Sequence, residues 1–216
     1  MSTSPSPFPP GIFLPGGHNT DPPLPPSDPT TGYKLNHFML RIRDPRPSLH
    51  FYIDLMGMRT VFTMNAGPMT IYYLGYPPDD KRENLPAWAA ETAISKTLTR
   101  TLGLLELYHV HGSEKQEPGY ISTGNQPPHL GFGHLGFTVP DVRATVERLR
   151  REGVKVVKDV GESAKRTAVP VSRWEEERGI GTQELHENYR RIIEQMAFVE
   201  DPDGYLVELV PQELKS

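Results

Sequence analysis

The stretch KLNHFMLRIRDPRPSLHFYIDLMG, residues 34–57, decides the fold, because the chain answers it later with GFGHLGFTVPDVRATVERLRREG, residues 131–153. Each copy opens on a short strand pattern, turns at an aspartate next to a proline, and continues as a helix that stops at a glycine. In the first copy Asp44 is the cap and Pro45 the first-turn proline, and the helix through SLHFYIDLM ends at Gly57. In the second, Asp141 caps a helix whose Val142, Val146 and Leu149 fall at i, i+4 and i+7, and Gly153 ends it. An internal repeat of this kind governs how every other motif is read.

Working outward, three strand-like runs follow each helix. They are MRTVFTM, TIYYLGY and LLELYHV in the first copy, and VKVVKDV, MAFVED and YLVELVP in the second. Each copy therefore reads as βαβββ, and the fold class is α+β: paired modules whose curved mixed sheets surround a common site. The expected boundaries are a Pro-rich extension over 1–31, a first module over 32–125 and a second over 126–216. The extension holds ten of the 23 prolines, which remove backbone donors and set φ, so it is read as a tail. Two stretches break the symmetry. Residues 78–99 read as a polar loop or short helix. The insertion at 160–195 carries SRWEEERG and a helical pattern in TQELHENYRRIIEQ. Both are either decoration packed outside or a rim over the site.

With 216 residues and 36% hydrophobic content the chain buries a real core. No apolar run approaches the roughly 18 residues that span a bilayer, and no basic, apolar leader is present, so the expectation is a soluble, cytoplasmic protein without a membrane partner. A net charge of −4 with both signs interspersed leaves no basic footprint for nucleic acid. With no cysteine in the chain, disulfides, thiolate catalysis and cysteine-bound zinc are excluded, and any metal falls to His, Asp or Glu.

The repeat places the same residue types at equivalent points: His37 and His134 in the opening strands, Glu106 and Glu208 in the closing ones. Side chains in a strand alternate faces, so Glu106 shares a face with Leu104, Tyr108 and Val110, and Glu208 with Leu206 and Val210. A carboxylate on an apolar face is costly unless a cation or strong donors compensate it. Two imidazoles and two carboxylates suit one divalent ion, Zn, Ni, Co or Mn, with coordination positions left open for substrate. A lone strand His or Glu is usually a hydrogen-bonded or snorkelling residue; four at equivalent places of a repeat are not. His109 and His111 alternate to the other face and read as surface or supporting positions. His18, His50, His129 and His186 read as loop or helix residues outside the site.

The stretches NHFMLRIRDPRPSLHFYIDLMGM, LLELYHVHG, GFGHLGFTVPD and DPDGYLVELV together resemble the glyoxalase I (lactoylglutathione lyase) family of the vicinal-oxygen-chelate superfamily. The resemblance implies a ligand set of His37, Glu106, His134 and Glu208. His at position 37 is similar to the nickel- or cobalt-activated bacterial type, where zinc-type animal enzymes carry Gln. It also implies isomerisation of the methylglyoxal–glutathione hemithioacetal to S-lactoylglutathione through an enediolate, with Glu208 moving the proton and Glu106 as its counterpart. Arg41 and Lys158 match family positions that contact glutathione, and the family implies a homodimer with shared metal sites. Val110 and Leu130 depart from polar positions of the family. They favour the alternative, an isomerase or lyase of the same superfamily acting on another substrate.

Overall fold

The computed structural model describes residues 6–14, 21, 23–163 and 171–215. Contacts within the chain divide it into two compact units. One comprises Leu24–Ser122 with Pro202–Gly204, and the other Thr123–Asp201 and Tyr205–Ser216 with the N-terminal residues through Pro23.

The first unit is built on a four-stranded mixed sheet: β1 (His37–Ile42), β2 (Arg59–Asn65), β3 (Met69–Gly75) and β4 (Leu104–Val110), in the order β1-β4-β3-β2. β1 runs parallel to β4, and the other pairs are antiparallel. The helix between β1 and β2 begins where expected, because the Asp44 carboxylate accepts the Arg46 N–H at 3.0 Å and Pro45 needs no partner for a missing N–H. It is α-helical only over Pro45–Leu49 (α1) and widens into a π-helical turn over His50–Leu55, a departure from the single helix expected. Gly57 ends it at φ +81°, a conformation that a Cβ disfavours. Alternation divides the sheet cleanly. Leu40, Ile42, Leu105 and Leu107 are buried on one face, while His37, Met39 and Glu106 lie on the other.

The 78–99 stretch forms α2 (Leu85–Ala93) and α3 (Ser95–Leu98). Asn84 caps α2 by accepting the Ala87 N–H at 3.2 Å. Trp88 of α2 packs with Val61, Tyr73 and Leu104, so this helix lies on the sheet face that carries Glu106.

The second unit repeats the plan. After a two-residue hairpin, β5 (Asn125–Gln126) and β6 (His129–Leu130), that the sequence pattern does not reveal, come β7 (Leu135–Val139), α4 (Val142–Arg151), β8 (Lys155–Lys158), β9 (Ala197–Glu200) and β10 (Leu206–Pro211). The sheet order is β7-β10-β9-β8, again with one parallel pair, β7 with β10. Asp141 caps α4 through the Ala144 N–H at 2.9 Å, and Val142, Val146 and Leu149 are its buried stripe, in contact with β8, β9 and β10.

The described part of the insertion forms α5 (Arg173–Glu176) and α6 (Glu187–Ile193); residues 164–170 of it lie outside the described residues. The helical pattern of TQELHENYRRIIEQ therefore yields a helix half its length, because His186 serves as the N-cap. Ile193 and Met196 pack with Phe198, Val157 and Val210, which places α6 on the sheet face that carries Glu208. The N-terminal extension is tied to this helix: Asn188 Nδ2 donates to the Gly11 carbonyl at 2.8 Å, and Gly11 faces the His186 ring so closely that no Cβ would fit there.

Candidate metal centre

The first unit brings His37 and Glu106 together although they are not opposite in register: Met39 pairs with Glu106, and His37 with Leu104, across the β1–β4 ladder. His37 Nε2 lies 3.3 Å from Glu106 Oε2. The second unit does the same from a slightly different start. His134 stands one residue before β7 rather than within it, and its Nε2 lies 3.3 Å from Glu208 Oε2. Both imidazoles are somewhat over one-third exposed and both carboxylates about 15% exposed. Each pair is thus open on the imidazole side and enclosed around the carboxylate. Among the described residues no group of three or more His, Asp or Glu is placed to hold one ion, so the donors stand as two matched pairs.

An aromatic ring completes each pair. Tyr73, opposite Glu106 in register, lies 5.3 Å from the His37 ring and stacks on Phe62 at 4.7 Å. Phe198, opposite Glu208, meets the His134 ring edge-on at 5.5 Å. The rings shield the carboxylates from water. Tyr73 is 8% exposed, and burial together with the Glu106 charge pushes its phenol up to about 12. Neither aromatic was singled out in the sequence; its only signal there is an aromatic in the strand beside the closing one, in both copies.

Electrostatics favours a cation at the second pair. The Glu208 carboxylate, hydrogen-bonded to the ring, raises His134 above the ordinary imidazole range against the opposing effect of burial. Where a ring instead turns its lone pair to the carboxylate, the two repel at 3.3 Å unless a positive charge sits with them. The donor set, one nitrogen and one oxygen per unit, fits a divalent ion of borderline hardness.

One of the remaining expectations stands differently in the structure. Lys158, expected as a substrate contact on the rim, is 1% exposed. Its ammonium donates to the carbonyls of Asp159 (3.0 Å), Ile193 (2.7 Å) and Met196 (2.6 Å), so its three donors are committed and it closes the C-terminal end of α6. Burial lowers its pKa. His109, expected at the surface or in a supporting place, is 8% exposed, with its Nε2 3.0 Å from Glu114. Arg41 is exposed, two residues along the strand from Met39 on the His37 face. Val110 is half-buried at the end of β4, and Leu130 is exposed in β6. His50 pairs with Asp54, and His18 lies outside the described residues.

Residues 34–165 match the family model described as the Glyoxalase/Bleomycin resistance protein/Dioxygenase superfamily. The chain belongs to this superfamily. Its mixed sheets and helices are those of the glyoxalase fold. This glyoxalase-superfamily chain is 34% identical over 190 residues to the lactoylglutathione lyase of Pseudomonas aeruginosa, covering 86% of each protein. It is 30% identical over 186 residues to the glyoxalase I of Saccharomyces cerevisiae, covering 85% of this chain and 46% of that one. The chain thus spans about half the length of the yeast relative. Among solved structures, a glyoxalase I of Leishmania major aligns at 22% identity and a TM-score of 0.48, covering 83% of this chain and 87% of that one.

Proposed function

We propose that the chain is a metal-dependent lactoylglutathione lyase, converting the hemithioacetal of methylglyoxal and glutathione to S-lactoylglutathione. The observation that carries this reading is the pair of equivalent His–Glu contacts, each backed by an aromatic, in a chain 34% identical to a lactoylglutathione lyase over nearly its full length. The proposed ligands are His37, Glu106, His134 and Glu208, forming one set for Zn or Ni, with Co and Mn as further candidates. Such an ion, when bound, supplies Lewis acidity to the two substrate oxygens.

The chain's own residues do the rest. Glu208 removes the proton from the carbon bonded to sulfur and returns it to the neighbouring carbon. The hydroxyl hydrogen passes between the two oxygens, so atoms balance and no redox partner enters. Phe198 and the α6 packing keep water from the Glu208 carboxylate while this happens. Glu106 holds the opposite side. Arg41, with its planar guanidinium, meets a glutathione carboxylate. The proposed assembly is a homodimer in which the two His–Glu pairs are combined into shared metal sites, the two modules run over 32–125 and 126–216 after the extension at 1–31, and the proposed location is the cytoplasm. Among the described residues no helix is long and apolar enough to cross a membrane.

Val110 and Leu130 favour a second reading, the same proton transfer on a less polar substrate, because both offer hydrocarbon where the family offers hydrogen-bonding groups. The deciding experiment reloads chelated protein separately with Zn, Ni, Co and Mn and follows thioester formation from methylglyoxal and glutathione. Recovery with at least one ion is expected. Glu208→Gln should keep an ion bound and lose turnover by about 100-fold or more, as removal of a general base does. Metal binding without turnover in the wild type selects the second reading.

A further inference from the structure

The opening strand of the first unit carries a group that the repeat does not reproduce. Asn36 precedes His37, where Gly133 precedes His134. The Asn36 Nδ2 donates to two carbonyls, Leu98 at 2.8 Å and Thr101 at 2.6 Å, both beyond α3 or at its end. Its Oδ1 lies 2.8 Å from His37 Nδ1.

These three contacts determine the orientation of the amide. A carbonyl oxygen only accepts, so two carbonyls on one side require the NH2 there and turn Oδ1 toward the imidazole. Oδ1 also only accepts, so His37 Nδ1 carries the hydrogen. In a neutral ring the lone pair is then on Nε2, the atom 3.3 Å from Glu106. The partner on one ring nitrogen thereby selects what the other nitrogen offers.

We propose that Asn36 is a positioning residue: anchored to the Leu98 and Thr101 carbonyls, it holds His37 as the Nδ1–H tautomer and presents an unprotonated Nε2 beside Glu106. The cation at that nitrogen belongs to the reading given above; the tautomer does not depend on it. Glycine at the equivalent place leaves the His134 ring without this support, so the two His–Glu pairs are unequal. The first is set by hydrogen bonds before any ion arrives, and the second, edge-on to Phe198, is not set in this way.

The test uses metal-free, 15N-histidine-labelled full chain, with ring nitrogens read by long-range proton–nitrogen correlation at alkaline pH. The His37 ring is expected in the Nδ1–H form in the wild type and to shift toward the Nε2–H form in Asn36→Ala. Competition against a chromophoric chelator should show Zn or Ni affinity falling about 10- to 100-fold in that variant, the range for loss of a partner that orients a ligand. Leu98→Ala, which trims the apolar packing of the same segment, should lower the melting temperature while leaving tautomer and affinity in place. An Nε2–H ring in the wild type, or an Asn36→Ala protein with unchanged tautomer or with affinity within twofold, overturns the role of Asn36. The wild-type spectrum alone decides this if the variant does not fold. An Nδ1–H ring in a protein that binds none of the four ions overturns the metal reading instead.

Discussion

Asp203 shows how a single residue links the stability of this chain to pH. It lies in the turn Asp201-Pro202-Asp203-Gly204, and Pro202–Gly204 pack with the first unit. One carboxylate oxygen accepts the Arg43 N–H at 2.8 Å, and the other accepts the Ser48 hydroxyl at 2.8 Å. Burial raises its pKa above the usual 3.8; these hydrogen bonds oppose that shift, and the nearby Asp44 charge adds to it. Since the folded value is the higher one, Asp203 favours the folded state fully below the unfolded value, and this contribution is lost as pH rises through the folded value. Asp203→Asn removes the titration yet retains an acceptor for Arg43. The melting-temperature difference, variant minus wild type, should therefore be more positive at pH 7 than at pH 4; a difference that is equal or larger at pH 4 refutes the assignment.

Among the elements, α6 turns on Lys158. Helix ends leave carbonyls without intrahelical partners, and here a buried ammonium from β8 meets that of Ile193 at the end of α6 and that of Met196 just beyond it. Lys158→Met fills similar space but takes the ammonium from both carbonyls, leaving that of Ile193 with the Met196 N–H at 3.1 Å. The expected loss is about 1–3 kcal/mol in unfolding free energy, measured by denaturant titration, the range for a buried group deprived of its partner. Unchanged stability with a raised KM would return Lys158 to the substrate. The added helix of the first unit, α2, comes one strand later in its module and is held by Trp88 in its apolar cluster. Both additions to the βαβββ plan thus lie on the carboxylate-bearing faces, one fastened by a charge and one by a ring.

At the scale of the whole molecule, the proposed homodimer with shared metal sites makes a mixing experiment decisive. A His37→Ala/Glu106→Ala protein and a His134→Ala/Glu208→Ala protein should each be inactive. Refolded together, they should regain about a quarter of wild-type activity if subunits assort at random and one centre in each mixed dimer is intact; no recovery would place both His–Glu pairs in the work of one chain. The sequence by itself determined the repeat, the βαβββ order, the caps at Asp44 and Asp141 and the equivalence of His37 with His134 and Glu106 with Glu208. Those features follow from spacings of two to four residues and from glycine and proline, which act locally and need no distant partner. Only the tertiary structure decided that Lys158 closes a helix, that His109 is buried against Glu114, that α2 and α6 lie on the carboxylate faces and that Asn36 faces His37 with its oxygen. In most of these cases the deciding partner is remote in sequence, such as Ile193 for Lys158 or Leu98 and Thr101 for Asn36, and no local pattern encodes which remote group a side chain will meet.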